Sequence, residues 1–304
     1  MKIAMLGSGA MGMLYGGYLS QQHEVFMMAR DPAKVDGMNQ NGIQIEKLDG
    51  SVETYHPKAY LSGEELGEMD LVVLFVKAPH SRSALEENRS LIGKNTFLLT
   101  LQNGSGHQEI LTEFAEKEKC VIGVTLLNSA ILAPSFVRHG GTGATNIGVL
   151  FGDIASIAPI SEAFNGCGIV THVQENIKKL VWEKLFLNSS MSMLTGVLQV
   201  SMGYMGDNPH GNDLMRKLLH ESVSVANAEG LDFEEEKVYE KVMAVLNENK
   251  GGLTSVYADM RDGRRTEVET LSGAVVRAGK AVGVETPSHA FLVSLIHAME
   301  DIKA

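Results

Sequence analysis

The chain opens on Met1-Lys-Ile-Ala-Met-Leu-Gly-Ser-Gly-Ala-Met-Gly12, an apolar strand that runs directly into Gly7-x-Gly9-x-x-Gly12. No other feature of the sequence restricts the fold as strongly. A dinucleotide-binding turn needs a tight turn at the strand end (Gly7), bare backbone against a pyrophosphate (Gly9) and close packing of the next helix (Gly12). The N–H groups that open such a helix face the phosphates. The apolar stretch from Met11 to Leu19 reads as that helix. After the short turn Gln21-Gln22-His23, Glu24-Val-Phe-Met-Met-Ala29 reads as the second strand. Gly7, Ser8, Gly9, Ala10, Met11 and Gly12 are therefore the expected phosphate-binding residues. The competing reading is a glycine-rich turn with no ligand, and the strand and helix around the motif weigh against it.

The end of the second strand discriminates between nicotinamide cofactors. An acidic side chain there hydrogen-bonds a ribose 2′-hydroxyl and repels a 2′-phosphate. This chain carries Ala29-Arg30-Asp31-Pro32, with an arginine ahead of the carboxylate. The planar fork of a guanidinium suits a phosphate dianion, so Arg30 points to NADP(H). A second reading stays open, in which Arg30 is a solvated loop residue and Asp31 caps the following helix.

At 304 residues the chain exceeds the usual single-core size, and 44% hydrophobic content spread evenly can fill two cores. A formal net charge of −11 argues against nucleic acid or an anionic membrane as a partner. The two cysteines, Cys120 and Cys167, give neither a metal-binding spacing nor a disulfide framework. No metal is expected. Entry into a strand at the first residues leaves no signal peptide to expect, and no apolar run reaches transmembrane length. The expected location is a reducing one, the cytoplasm. The sixteen methionines read as adaptable core filling.

Through the first half, strand and helix signals alternate. Asp70-Leu-Val-Val-Leu-Phe-Val-Lys77, Thr96-Phe-Leu-Leu-Thr-Leu-Gln-Asn103 and Lys119-Cys-Val-Ile-Gly-Val-Thr125 are apolar on nearly every residue. Such runs suit strands covered on both faces, as in a doubly wound, mostly parallel α/β sheet. Ligands bind such sheets beyond the carboxyl ends of the strands, which singles out Lys77 and Asn103. Gly140-Gly-Thr-Gly143 and Ile147-Gly-Val-Leu-Phe-Gly152 read as hairpin-like and edge strands. After Gly168-Ile-Val-Thr-His-Val173 the pattern turns helical almost to the end, interrupted at Gly251-Gly252, Gly263 and Pro287. The expected division is thus a dinucleotide-binding Rossmann domain over 1–173 and an all-α domain over 174–304.

In the helical half, Ile177, Leu180, Val181, Leu185 and Leu187 imply a buried helix on which Lys184 and Asn188, four apart, share a face. Burial lowers a lysine pKa toward the range useful for proton transfer. Farther on, Ser255, Asp259 and Arg264-Arg265-Thr266-Glu267 gather polar groups ahead of an apolar helix expected from Val268. Spacing alone is equally compatible with an exposed helix face carrying ordinary ion pairs. Met202, Tyr204 and Met205 read as an exposed patch able to support a homodimer, and a monomer is equally compatible with the sequence.

The glycine-rich start, Arg30, Phe75-Val-Lys77, Gln102-Asn103-Gly104, Trp182-Glu-Lys184-x-x-x-Asn188 and Thr266-Glu267-Val-Glu269 occur in this order. Together they resemble the 2-dehydropantoate (ketopantoate) reductase family over nearly the whole chain. The resemblance implies reduction of the 2-oxo group of ketopantoate to D-pantoate with NADPH. Lys184 is then the general acid. Asn103, Asn188, Ser192 and Ser255 face the substrate. Lys77, Asn103 and Glu267 join the glycine motif and Arg30 around the cofactor, Glu267 holding the nicotinamide ribose.

The departures are informative. Where pantoate-forming members carry a second asparagine before Pro-Leu-Thr, this chain has Ser192-Met-Leu-Thr195. Two further expected asparagines fall at Met202 and Gly252. A pocket with fewer amides and more apolar surface suits another branched or aromatic 2-oxo acid, reduced to a D-2-hydroxy acid, as the alternative substrate. A non-catalytic dinucleotide-binding regulator is a remoter alternative. It has no use for Lys184, Asn188, Ser255 and Glu267 together.

Overall fold

A computed structural model describes residues 1–302, and the contacts divide the chain into two compact units. The first holds Met1–Gln102 and His107–Lys178; the second holds Asn103–Gly106 and the chain from Lys179 onward. Each has its own apolar core.

The strands of the first unit are β1 (Lys2–Leu6), β2 (Glu24–Met28), β3 (Ile43–Glu46), β4 (Val52–Tyr55), β5 (Lys58–Tyr60) and β6 (Leu71–Leu74). They continue with β7 (Phe97–Thr100), β8 (Cys120–Thr125), β9 (Ser129–Ala133), β10 (Phe136–His139), β11 (Thr145–Val149) and β12 (Thr171–Val173). Eight of these form one sheet in the order β5-β2-β1-β6-β7-β8-β11-β12. From β5 to β8 every pairing is parallel, and β11 runs antiparallel to β8. The apolar runs behave as expected of strands covered on both faces, since every residue of β6 and β8 is buried. The expectation of an edge strand near Ile147 is corrected: β11 lies inside the sheet, and β12 pairs parallel to it as the edge.

Helix α1 (Ala10–Leu19) follows β1 and is buried from Gly12 to Leu19. It packs on β1 and β2 and also on β3, β9 and β10, which explains why it is apolar on every face. Those last strands belong to a small second sheet, ordered β4-β3-β10-β9, that no sequence pattern predicts. The unit is completed by α2 (Pro32–Asn41), α3 (Ser81–Glu87), α4 (His107–Leu111) and α5 (Ala158–Gly166).

The second unit is helical: α6 (Ile177–Leu187, whose first two residues belong to the first unit), α7 (Met193–Leu198), α8 (Met202–Asp207), α9 (Pro209–Ala228), α10 (Glu235–Glu248), α11 (Ser255–Arg261), α12 (Ser272–Val282) and α13 (Pro287–Ile302). Proline opens α9 and α13, where its missing N–H has no cost. The expected helix from Val268 begins instead at Ser272, because Glu267–Leu271 form a tight turn. The expected surface patch is also corrected. Met205 is fully buried and Met202 nearly so, both packed in the helical core, and only Tyr204 is exposed. No helix among the described residues is long and apolar enough to cross a membrane.

Candidate active site

At the carboxyl ends of β1, β2 and β6 lies a cavity of about 380 Å³. It sits where the chain leaves β1 for β2 on one side and β6 on the other, the switch point at which open parallel sheets bind ligands. Its wall includes Gly7, Ser8, Gly9, Arg30, Lys34, Lys77, His80 and Glu87.

The glycines explain the shape of this wall. Gly7 has φ +120°, and a Cβ there would lie 2.7 Å from the Val76 backbone nitrogen. A Cβ on Gly12 would lie 1.9 Å from the Gly7 carbonyl oxygen, so α1 can start only against a bare backbone. Around a Cβ built on Gly9 there is nothing within 4 Å. Gly9 precedes the first turn of α1, where backbone N–H groups lack intrahelical partners. Open space, bare backbone and unsatisfied donors together fit a pyrophosphate. Ala10, Met11 and Gly12 form that first turn.

Lys77 follows β6 on a loop held by Gln102, whose Nε2 donates to the Val76 carbonyl (2.6 Å) and to Ser81 Oγ (2.8 Å). Thr100 Oγ1 fixes the amide by donating to Gln102 Oε1 (2.8 Å). The sequence marks Gln102 only as part of a motif; the structure makes it the clamp on this loop.

Arg30 lines the cavity, and its guanidinium is engaged within the unit. Nε donates to Glu87 Oε2 (3.0 Å), and Nη2 donates to Glu87 Oε1 (2.8 Å) and Ser83 Oγ (2.7 Å). Asp31 caps α2 by accepting from the Ala33 N–H (2.9 Å). The capping half of the second reading of this segment is therefore what the structure has.

The second unit collects Asn103, Lys184, Asn188, Ser192, Ser255 and Glu267. Lys184 stands in the last turn of α6. The helix is anchored by Trp182, which is buried and donates from Nε1 to Glu229 Oε2 (2.9 Å). Its buried residues are Ile177, Trp182, Leu185 and Phe186; Leu180, Val181 and Leu187 are only partly buried. Lys184 is half-buried as a residue, but the protein around its ammonium strips water from it and pulls it down to about 8, and the Glu267 carboxylate works against that pull. Glu267 opens the Glu267–Leu271 turn, which Thr266 precedes. Buried Thr266 donates from N (2.7 Å) and Oγ1 (2.8 Å) to Glu300 on α13. Burial pushes the Glu300 carboxyl up, but the bonds from Thr266 and His297 outweigh it and hold it below the usual range.

After Leu187 the helix does not simply continue. Asn188–Ser192 form a π-helical turn before α7. A wider turn shifts the register of the next helix, and such turns occur frequently at functional sites. Ser190 Oγ donates to the Phe186 carbonyl (2.5 Å), bonding back by four residues. Within the turn Ser192 Oγ donates to Asn188 Oδ1 (3.4 Å), joining two predicted substrate residues. The Ser192 carbonyl accepts from Thr195 Oγ1 (3.0 Å), which meets Thr254 Oγ1 at 2.9 Å. Thr254 caps α11, whose first residue is the exposed Ser255. No sequence signal identifies the π-turn or Thr254. Met202 and Gly252 are adjacent: the Met202 N–H donates to the Gly252 carbonyl (3.0 Å), and a Cβ on Gly252 would lie 2.9 Å from Met202 Sδ. Asn103 opens a segment in which Gly104 has φ +97° and the Ser105 N–H donates to the Thr270 carbonyl (2.9 Å). That ties this segment to the turn that carries Glu267. Among the described residues no His, Cys, Asp or Glu cluster is arranged to hold a metal.

Residues 3–152 match the family described as ketopantoate reductase PanE/ApbA, and residues 176–300 match its C-terminal domain. A 2-dehydropantoate 2-reductase of Halobacterium salinarum is 30% identical over 97% of this chain and 98% of its own length. Among solved structures, a D-mandelate dehydrogenase in ternary complex with NADH and anilino(oxo)acetate superposes with a TM-score of 0.92. It is 30% identical, covering 100% of this chain and 99% of that one. A PanE/ApbA family ketopantoate reductase of Ralstonia eutropha superposes with a TM-score of 0.90 at 27% identity, with the same coverage. An apolar strand running into the glycine turn and a lysine on an anchored helix thus coincide with a match over both domains: the chain belongs to the ketopantoate reductase family of oxidoreductases.

Proposed function

We propose that this protein reduces the 2-oxo group of 2-dehydropantoate to D-pantoate with NADPH. Residues 1–173 serve the dinucleotide, and residues 174–304 serve substrate and proton transfer. The observation that carries the reading is Lys184, a lysine on the Trp182-anchored helix brought down to about 8 by burial against the opposing charge of the Glu267 carboxylate. Gly7 to Gly12 would hold the pyrophosphate, with Arg30 at the 2′-phosphate and Lys77, Asn103 and Glu267 toward the nicotinamide ribose. Bound in its reduced form, the cofactor supplies the hydride that C2 of the substrate receives.

The protein's own residues do the rest. The Lys184 ammonium stabilises negative charge growing on the carbonyl oxygen, then gives that oxygen its proton. With a pKa of about 8 it is mostly charged at neutral pH and still acidic enough to transfer. Asn188, Ser192, Asn103 and Ser255 orient the substrate, and orientation of this kind lowers a barrier by several kcal/mol. The reading places the enzyme in the cytoplasm as a monomer or homodimer, where the buried, unbridged Cys120 and Cys167 stay thiols.

A second reading has its own observation. Met202 sits against Gly252, and Ser192 Oγ joins Asn188, at the three positions (192, 202 and 252) where the family resemblance leads one to expect asparagines. Fewer amides leave a distal hydroxyl with fewer partners, so another branched or aromatic 2-oxo acid fits as substrate. The similar D-mandelate dehydrogenase points the same way. A panel of 2-oxo acids assayed with NADPH and NADH separates the two. If the pocket engages the distal hydroxyl, ketopantoate exceeds its deoxy analogue by about 10⁴ in kcat/KM; a difference below about a hundredfold supports the broader substrate class.

A further inference from the structure

We infer that Glu87 sets how strongly this enzyme discriminates between phosphorylated and unphosphorylated dinucleotides, because it occupies one of the two edges by which Arg30 can grip a 2′-phosphate bidentately, while Ser83 on the same helix blocks the other. The inference rests on the proposal that Arg30 receives that phosphate. A guanidinium has five N–H groups in a fixed plane, and a bidentate grip uses two that point in parallel. Nε–H and one Nη2–H form such a pair, and both are on the Glu87 carboxylate. The remaining Nη2–H, which would pair with one N–H of Nη1, is on Ser83 Oγ. Ser83 is committed as an acceptor, since its own proton goes to the His80 carbonyl (3.1 Å). The two N–H groups of Nη1 diverge and cannot hold two oxygens of one phosphate. A phosphate therefore gains the fork only by displacing Glu87 or Ser83.

The placement of Glu87 supports a role beyond helix stability. It is the last residue of α3, where a carboxylate meets the negative end of the helix dipole. Ser83 stands four residues earlier on the same face, so one helix presents both acceptors to Arg30. Arg30, Lys34 and Glu87 line the same cavity. With Arg30 neutralised, Lys34 and Lys77 are the lysines that remain on the cavity wall among the described residues. A carboxylate close to a phosphate dianion also repels it, by an amount worth about tenfold in affinity at water-like screening.

The test is titration of NADP⁺ and NAD⁺ into the intact enzyme by calorimetry, for wild type, Glu87→Gln, Glu87→Ala and Arg30→Ala. Both Glu87 variants should bind NADP⁺ about tenfold tighter, with a steeper salt dependence, while NAD⁺ changes by less than about twofold. NADP⁺ affinity that is unchanged or weaker in both would overturn the inference, as would equal tightening for both nucleotides. Arg30→Ala separates the two levels. If it leaves NADP⁺ affinity intact, the assignment of Arg30 to the 2′-phosphate falls; if it weakens NADP⁺ while the Glu87 variants do not tighten it, only the role of Glu87 falls.

Discussion

In the first unit, the cavity wall nearest the glycine motif is backbone: a left-handed Gly7, an open Gly9 and a helix that starts against the Gly7 carbonyl. In the helical unit the candidate chemistry is carried by side chains on separate elements, Lys184 on α6, Asn188 and Ser192 in a π-turn, and Glu267 on a turn held by α13. The two regions should therefore fail in different ways. A backbone wall tolerates almost any side chain beside it but no added atom within it. A side-chain cluster tolerates changes of volume but not of charge, because the lysine acidity depends on a balance between burial and one carboxylate.

The largest expected effect tests the side-chain half. Lys184→Ala should lower kcat by about 10²–10⁴-fold while the fold and dinucleotide affinity persist. Lys184→Arg should be nearly as damaging, since a guanidinium does not release its proton at neutral pH. Steady-state kinetics with parallel cofactor titration measures both, and near-normal turnover in either variant would take Lys184 out of the mechanism. The matching test of the backbone half is Gly12→Ala. A Cβ placed 1.9 Å from a carbonyl oxygen forces α1 and the turn apart. Dinucleotide affinity should fall by about tenfold or more, with kcat at saturating cofactor much less affected. A variant that bound cofactor normally would show that the turn is not the binding element.

This contrast also explains what could be read from the residues. The glycine turn, the buried strands and the order of α/β then all-α elements are legible because contiguous residues encode them. Lys184 is not singled out by spacing, because a lysine on an apolar helix is compatible with an ordinary ion pair; the Trp182-x-Lys184 resemblance supplies what periodicity cannot. The rest depends on partners far apart in the chain. Arg30 finds Ser83 and Glu87 more than fifty residues away, and Thr266 finds Glu300 thirty-four residues on. The small sheet escapes a sequence reading because β4 shows only one buried residue and β9 none, so neither carries a core signal. The π-turn has no composition signature at all: Asn-Ser-Ser-Met-Ser reads as the end of a helix.

The smallest expected effect is a displacement of a pH profile, and it separates the roles of burial and charge around Lys184. Reduction of a carbonyl needs the ammonium form, so kcat for reduction should fall as pH rises through about 8. Oxidation of the hydroxy acid needs the neutral amine as base, and its kcat should rise through the same range. Burial lowers the lysine and Glu267 raises it, so Glu267→Gln removes the opposing influence and leaves burial to act alone. The limit for reduction should therefore move to lower pH, and the rise for oxidation should move with it in the same direction. Loss of a ribose contact in the same variant would raise the cofactor KM but would leave the position of the kcat profile unchanged. Profiles measured at saturating cofactor in both directions thus isolate the electrostatic effect. A profile for Glu267→Gln that coincides with wild type would mean that another group sets the titration, whereas a shift toward alkaline pH would reverse the sign assigned to Glu267.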